Sequence, residues 1–506
     1  MNIYKKIATV ILLGAFILPA PVLAIDDDPT PKIEQTEAQT VKVKQGSTLS
    51  LNDCIAIALN NSPEIRTAQY NYWISKTDVN IARSQFFPTI GIGAGYDFTD
   101  TRVRSRTSDV NSYNLNANLN MLLFDFGKTY AQIKMQKFYL IADEYDFYDS
   151  VRVVTFDVKQ KYYRVLAARA NVLVNEAYVD INERNYIRTK AYYDEGLKSK
   201  IDLVNSEVTL SDSKIRLIDS ENSYQNALVN LNNAMYLTEA PNYNIEAIFG
   251  MNLTDVVAPV DLTKFHKIGE QESSKTPVGV SDAKLTSAIE KLELLTDYQI
   301  EKFPYTFDEC LKIAKKNRSD LKAYKATVDA INENLIFIKR NFYPAISANA
   351  GYGLRDSSNS SATNSLNVGV NLSSSLNIMA QKNRVDAGKY HLDIAKITLQ
   401  KLEDDIYFQV QNAYINVIQL AKQIPLQAVK VRQTRENFEL AEGRYYVGLG
   451  DYLELQNAKL EYNNAQHSYI NSIYLYNVAV AALESAISYP QRVTKTLEVK
   501  KNGRKK

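Results

Sequence analysis

The chain carries one unit written twice, and that duplication constrains its fold more than any other feature. Leu51-Asn-Asp-Cys-Ile returns as Phe307-Asp-Glu-Cys-Leu, so Cys54 matches Cys310. At the same offset Ala58 matches Ala314, Asn61 matches Asn317, Phe87-Pro88 matches Tyr343-Pro344, and Gly95-Tyr96 matches Gly351-Tyr352. After a shift of a few residues Val158 pairs with Val410, Tyr162 with Tyr414, Gly196-Leu197 with Gly448-Leu449, and Leu231 with Leu483. Self-similarity on this scale marks a structural unit used twice. The copies span 51–235 and 307–490, and 236–306 belongs to neither.

Each copy has the same internal order: a helix (Asn52 to Phe87 in the first), two alternating segments around a polar loop, then two long helices meeting at a glycine. After Pro88, Ile90, Ile92, Ala94, Tyr96 and Phe98 alternate with Gly91, Gly93, Gly95 and Asp97. Next, Tyr113, Leu115, Ala117, Leu119, Met121 and Leu123 alternate with Asn114, Asn116, Asn118 and Asn120. The second copy sets Leu366, Val368, Val370 and Leu372 against Asn367, Gly369, Asn371 and Ser373. Period two sends these sets to opposite faces of a strand. A soluble antiparallel sheet shows the same alternation, but lengths of about nine to eleven residues suit tilted membrane strands.

The long helices carry seven-residue rows. Leu203, Leu210, Leu217, Tyr224 and Leu231 form one, and Ser206, Ser213, Ser220, Ala227 and Ala234 another. The second copy keeps both, as Leu455, Tyr462, Tyr469, Tyr476 and Leu483 with Ala458, Ala465, Ser472, Ala479 and Ala486. The preceding helices carry Val158, Val165, Val172, Val179, Tyr186 and Tyr193, and Val410, Val417, Ile424, Val431, Phe438 and Tyr445. A sustained heptad means a left-handed coiled coil. Small residues in one row allow close helix approach. From Asp125 to Tyr193 is roughly 100 Å at about 1.5 Å per residue. Pro425, where the first copy has Leu173, predicts a bend or break near Gln423.

Several functions are excluded. The formal charge of +2 gives no basic field for nucleic acid. Two cysteines do not make a disulfide scaffold, and Cys54 and Cys310 are expected as free, buried thiols. His266, His391 and His467 lie far apart, no metal-ligand spacing occurs, and no nucleophile–base pair, paired carboxylates or phosphate loop is found. No enzyme activity and no cofactor is expected. Lys5 and Lys6, the apolar run Ile7 to Leu18, and Val22-Leu23-Ala24 read as a signal peptide over 1–24; an uncleaved anchor is the alternative. Residues 25–50 then form an N-terminal segment of the exported chain. The segment 236–306 carries a charged helical stretch near Asp282 to Leu295. The tail 491–506 is basic and solvated.

Four strands are too few to close a barrel within one chain, and open edges cannot sit in lipid. Three chains would supply twelve strands. At this point the sequence resembles the TolC family of outer-membrane efflux proteins. Leu-Leu-Phe-Asp-Phe-Gly at 122–127, the Phe/Tyr-Pro strand entries, and the tips at Tyr193-Asp-Glu-Gly-Leu-Lys-Ser-Lys-Ile-Asp and Tyr445-Tyr-Val-Gly-Leu-Gly-Asp-Tyr-Leu-Glu carry the resemblance, twice in the same order. It covers nearly the whole mature chain. The resemblance implies an α+β membrane protein, a homotrimer with a twelve-stranded barrel and a periplasmic coiled-coil tunnel. It implies docking through Gly196, Leu197, Gly448 and Leu449 on a periplasmic adaptor, with an inner-membrane pump. It also puts 25–50 and 236–306 in the periplasm, the latter around the tunnel's waist. The implied role is a passive duct for drugs and small toxic compounds; type I protein secretion and an envelope coiled coil or adhesin are the alternatives.

The family's best-known members close the periplasmic end with acids past the tip glycine. The matching positions are Asp202 and Glu454, while a further family acid falls at the neutral Asn457, with Asp451 one turn back. These carboxylates are either the constriction or ordinary helix-start acids favoured by the dipole. Tyr445, Arg444 and Asp451 are expected to hold the closed state by tip-to-tip hydrogen bonds. In copy two Asn377-Ile-Met-Ala380 replaces the Phe-Asp-x-Gly corner, which predicts a differently shaped junction.

Overall fold

A computed structural model describes residues 43–103, 106–239, 242–246, 303–358, 360–374 and 377–488, with side chains at 101–108 excepted. The signal peptide, most of 25–50, the stretch near Asp282 to Leu295, and the tail 491–506 lie outside the described residues. The described residues form two compact units, one from 67–148 and 319–403, the other from 43–66, 149–318 and 404–488.

The first unit is built on one antiparallel sheet, ordered β2-β3-β5-β6. Its strands are β2 (Thr89–Val103), β3 (Arg106–Phe124), β5 (Ala345–Ser357) and β6 (Ser360–Ser373). All exceed the expected nine to eleven residues. The polar stretch expected as a loop is itself paired, out to Val103↔Arg106 in one hairpin and Ser357↔Ser360 in the other. Register preserves the two faces across all four strands, with Ala117 opposite both Ile92 and Tyr352, and Leu366 opposite Tyr352. One face leaves Ile92, Leu115, Val368 and Leu372 exposed. On the other, asparagines lie over facing glycines. A Cβ on Gly93 would meet Asn116 Oδ1, one on Gly95 Asn114 Oδ1, and one on Gly351 Asn367 Oδ1. Glycine thus makes room for a layer of amides, linked by Asn371 Nδ2 donating to Asn349 Oδ1 at 2.9 Å.

Below the sheet, α2 (Pro63–Ser84) packs Tyr72 and Val79 on Leu140 of α3 (Lys128–Asp194). The strand-to-helix corners differ, as the sequence predicted. In copy one Phe126 (φ 55°) and Gly127 (φ 81°) both turn left-handed, and Asp125 accepts from Gly127 N and Thr129 N. In copy two Asn377 Oδ1 accepts from Ala380 N at 3.0 Å, directly ahead of α7 (Ile378–Tyr446).

In the second unit α1 (Leu51–Asn61) and α5 (Phe307–Asn317) open the two copies with capping boxes, Ser50 with Asp53 and Thr306 with Glu309. The single first helix expected from the sequence is in fact broken in each copy, α5 being followed by α6 (Ser319–Arg340). Proline explains the first break, since Ser62 must leave the α region before Pro63 (ψ 121°). The second copy breaks at the same place without proline. There Arg318 (ψ 121°) is 3% exposed, and its Nη1 donates to Gln409 Oε1 and Ala486 O. Beside α1, β1 (Thr48–Leu49) pairs in parallel with β4 (Asn244–Ile245). Cys54 and Cys310 are both buried and unbonded.

Four long helices complete the unit: the remainder of α3 and α7, α4 (Lys200–Ala234) and α8 (Tyr452–Ala486). The predicted rows face inward, with many members buried and others, such as Leu203, Leu217, Tyr224 and Val179, half-buried. Ser206, Leu210, Ser213, Ala227, Leu231 and Ala234 are inside on α4, and Val410, Val417, Ile424, Val431, Phe438 and Tyr445 on α7. Of the bend or break predicted near Gln423, the break does not occur, because α7 is continuous from 378 to 446. Pro425 is exposed, so the carbonyl it leaves unpaired can turn to water, which softens the usual penalty of an interior proline.

Candidate functional site

The two helix hairpins turn on glycine at their tips. Gly196 (φ 74°) and Gly448 (φ 78°) each end a helix in the left-handed region. Leu197 N donates to Tyr192 O at 2.8 Å and Gly196 N to Tyr193 O at 2.9 Å; Leu449 N and Gly448 N repeat this with Arg444 O and Tyr445 O. Those bonds define the Schellman motif, which satisfies the last carbonyls of a helix. It leaves Leu197 and Leu449 projecting, 66% and 76% exposed.

The carboxylates begin the return helices. Ser199 Oγ accepts from Asp202 N at 3.3 Å, while Asp202 Oδ2 accepts from Ser199 N and Oγ, a reciprocal capping box. In the second tip Asp451 caps α8, its Oδ1 accepting from Glu454 N at 2.6 Å. Glu454 pairs with Arg444, Nε to Oε1 at 3.4 Å, and Arg444 Nη2 also reaches Leu449 O. Asn457 is exposed and neutral. Arg444, Asp451, Glu454 and Leu449 therefore meet within one tip.

Tyr445 is 2% exposed and packs with Phe438, Ala441, Leu455 and Ala458, so its ring lies in the core between the tips. Burial pushes its phenol above the ordinary value, reinforced by nearby Asp202.

Beside Tyr445, residues that the sequence does not single out for the tips join them within the chain. Lys198 Nζ lies 4.0 Å from the Tyr445 ring centroid, Arg188 stacks on Tyr446 at 3.8 Å, and Thr209 Oγ1 meets Tyr452 OH at 3.1 Å. Further along, Asn171, Asn175 and Asn182 of α3 face α8. His467 bonds Asn171 Oδ1 (2.7 Å) and Asn175 Oδ1 (3.0 Å), and Lys459 Nζ donates to Asn182 Oδ1 at 3.3 Å. The spacing of these asparagines on one helix face was the available signal. No His, Cys, Asp and Glu cluster able to hold a metal occurs among the described residues. No described helix is long and apolar enough to cross a membrane.

An antiparallel sheet with one apolar and one amide-lined face, joined to coiled-coil helices of some 67–69 residues, is the fold of outer-membrane channel-tunnel proteins. The chain belongs to the outer membrane efflux protein family, whose pattern matches residues 54–235 and 310–488. Among solved structures it resembles the CmeC outer membrane channel of Campylobacter jejuni (TM-score 0.68, 14% identity, covering 93% of this chain and 97% of that one). It also resembles the open state of the MtrE outer membrane channel of Neisseria gonorrhoeae (TM-score 0.64, 17% identity, 90% and 97%). Among characterised proteins, the alkaline protease secretion protein AprF of Pseudomonas aeruginosa is 23% identical over 182 residues, covering 35% of this chain and only 37% of AprF. The protein is thus an outer-membrane channel with a periplasmic helical tunnel, and not an enzyme.

Proposed function

We propose that three copies close into one passive exit duct of a tripartite efflux pump for drugs and small toxic compounds. A periplasmic adaptor would dock on the tips at Gly196, Leu197, Gly448 and Leu449, and an inner-membrane pump would supply the energy. The observation that carries trimer closure is the sheet: β2 and β6 are edges with no neighbour among the described residues, beside an exposed apolar face. Such edges need partners in lipid, and four strands from each of three chains make a barrel of ordinary size. A second unpartnered stripe supports it: Ile201, Val204, Val208, Ile215 and Ile218 stand exposed along α4 at heptad spacing, as a helix wall continued by the next copy requires.

The tip carboxylates belong to this proposal. Three copies of Asp202 and Glu454 around one axis would favour cations over anions. Arg444 offsets Glu454 in part, so Asp202 carries more of the effect. Because Asp202 also caps a helix, charge is best removed with D202N and E454Q. Reduced cation selectivity in planar bilayers is expected; unchanged selectivity and divalent-cation block would place the constriction elsewhere.

Type I protein secretion is the second reading, favoured by the partial match to AprF. In-cell cross-linking followed by co-purification separates the two. Recovery of an adaptor with a drug pump, and drug sensitivity on deletion, is the expected result. Recovery of a protein-exporting ATPase with loss of a secreted protein would replace efflux by secretion.

A further inference from the structure

We propose that the cavity enclosed by α3, α7 and α8 behind the tips is a binding site for a small aromatic monocarboxylate. It has a volume of about 460 Å³, which suits a small organic molecule rather than a bare inorganic ion. Lys459 lines it, is 2% exposed, and has a single hydrogen bond, to Asn182. Asn463 lines it one turn on and is 1% exposed, with neither amide atom bonded to the chain. A buried ammonium and a buried amide with spare donors are costly unless something accepts from them. A carboxylate presents two oxygens to such a pair.

The rest of the wall specifies the body of the ligand. Phe438 and Tyr462 stack in parallel, 7° apart with centroids at 6.0 Å, and Tyr446, with Arg188 over its ring, also lines the cavity. Aromatic faces favour a flat ring. Charge limits the ligand to one negative group. Arg184, Arg188, Arg435 and Lys459 face the cavity, but so do Glu439 and Glu442, and Glu439 already holds Arg435 Nε at 2.9 Å. This site lies within one unit of one chain and does not depend on the channel reading.

Equilibrium dialysis of the purified full-length protein against radiolabelled benzoate tests it. Saturable binding of one benzoate per chain is expected, with benzamide, the uncharged isostere, about tenfold weaker or worse. Lys459→Met and Asn463→Leu should each weaken benzoate about tenfold, while Lys198→Met, which leaves the cavity intact, should not. Because Lys459→Met alone could misassemble, Asn463→Leu gives a separate reading. Absence of saturation, equal binding of benzamide, or benzoate binding unaffected by Asn463→Leu would overturn the proposal. Displacement of benzoate by equimolar sulfate would reduce the cavity to an inorganic anion site and overturn it as well.

Discussion

Lys459 shows how a single buried charge makes stability depend on pH. Burial pulls its pKa down to about 8, only partly opposed by Glu442. Below that value the ammonium is charged in both folded and unfolded chains, and the folded chain bears the whole desolvation cost. Between about pH 8 and the ordinary lysine range the folded chain releases its proton first, so stability rises with pH there. Relative to Lys459→Met, the wild-type protein should gain on the order of 3 kcal/mol between pH 7 and 11. Thermal midpoints of both proteins at the two pH values measure this; parallel curves would show that the ammonium is solvated. The thiols make a simpler case. Burial, helped by Asp53, pushes Cys54 up to about 12, and burial also raises Cys310. Neither should react with maleimide at pH 8 in the native protein, and both should react after denaturation, as mass spectrometry can count.

At the tips, conformation rather than space demands glycine. Nothing lies within 4 Å of a Cβ built on Gly196 or Gly448, yet both have positive φ. Gly196→Ala should therefore cost about 1 kcal/mol without disturbing its neighbours. Gly196→Asn, which tolerates the left-handed region, should cost less. Reversal of that order in thermal midpoints would mean that sterics dominate.

At the scale of elements, periodicity was the part of the fold the sequence displayed best. The alternating strands and heptad rows appear at the predicted residues because burial on one face leaves period 2 or 3.5 in the chain. The same rule accounts for the burial of Tyr445: it ends the row Val410 to Phe438, and a row member belongs inside. Asp202 was legible too, since Ser199-x-x-Asp202 is the capping-box pattern. The break before α6 was not legible, because no proline marks it. Long-range bonds from Arg318 to α7 and α8 accompany it instead, and local sequence does not encode those. The small row gives a test. Ser213 is fully buried, with Oγ donating to Leu210 O, whereas Ser211 is exposed. Ser213→Leu should destabilise by about 1–3 kcal/mol through overpacking, and Ser211→Leu by much less. Equal effects would show that the helices are not closely packed there.

At the scale of the whole molecule, one chain is an incomplete wall. Among the described residues its sheet has two free edges, and its apolar face and the outer stripe of α4 have no cover. Composition could not reveal this, because exposed and buried apolar residues count alike. The four-strand tally did, since a barrel that small cannot close. In the proposed trimer, the asparagine layer would be the water side of the wall and Ile92, Leu115, Val368 and Leu372 its lipid side. The most direct measurement is single-channel recording in a planar bilayer with purified protein whose oligomeric state is fixed by native mass spectrometry. Trimers should insert in discrete conductance steps of one size, and D202N with E454Q should lower their preference for cations. Conductance carried by monomers, or intact trimers that insert without conducting, would contradict closure of a duct by three chains.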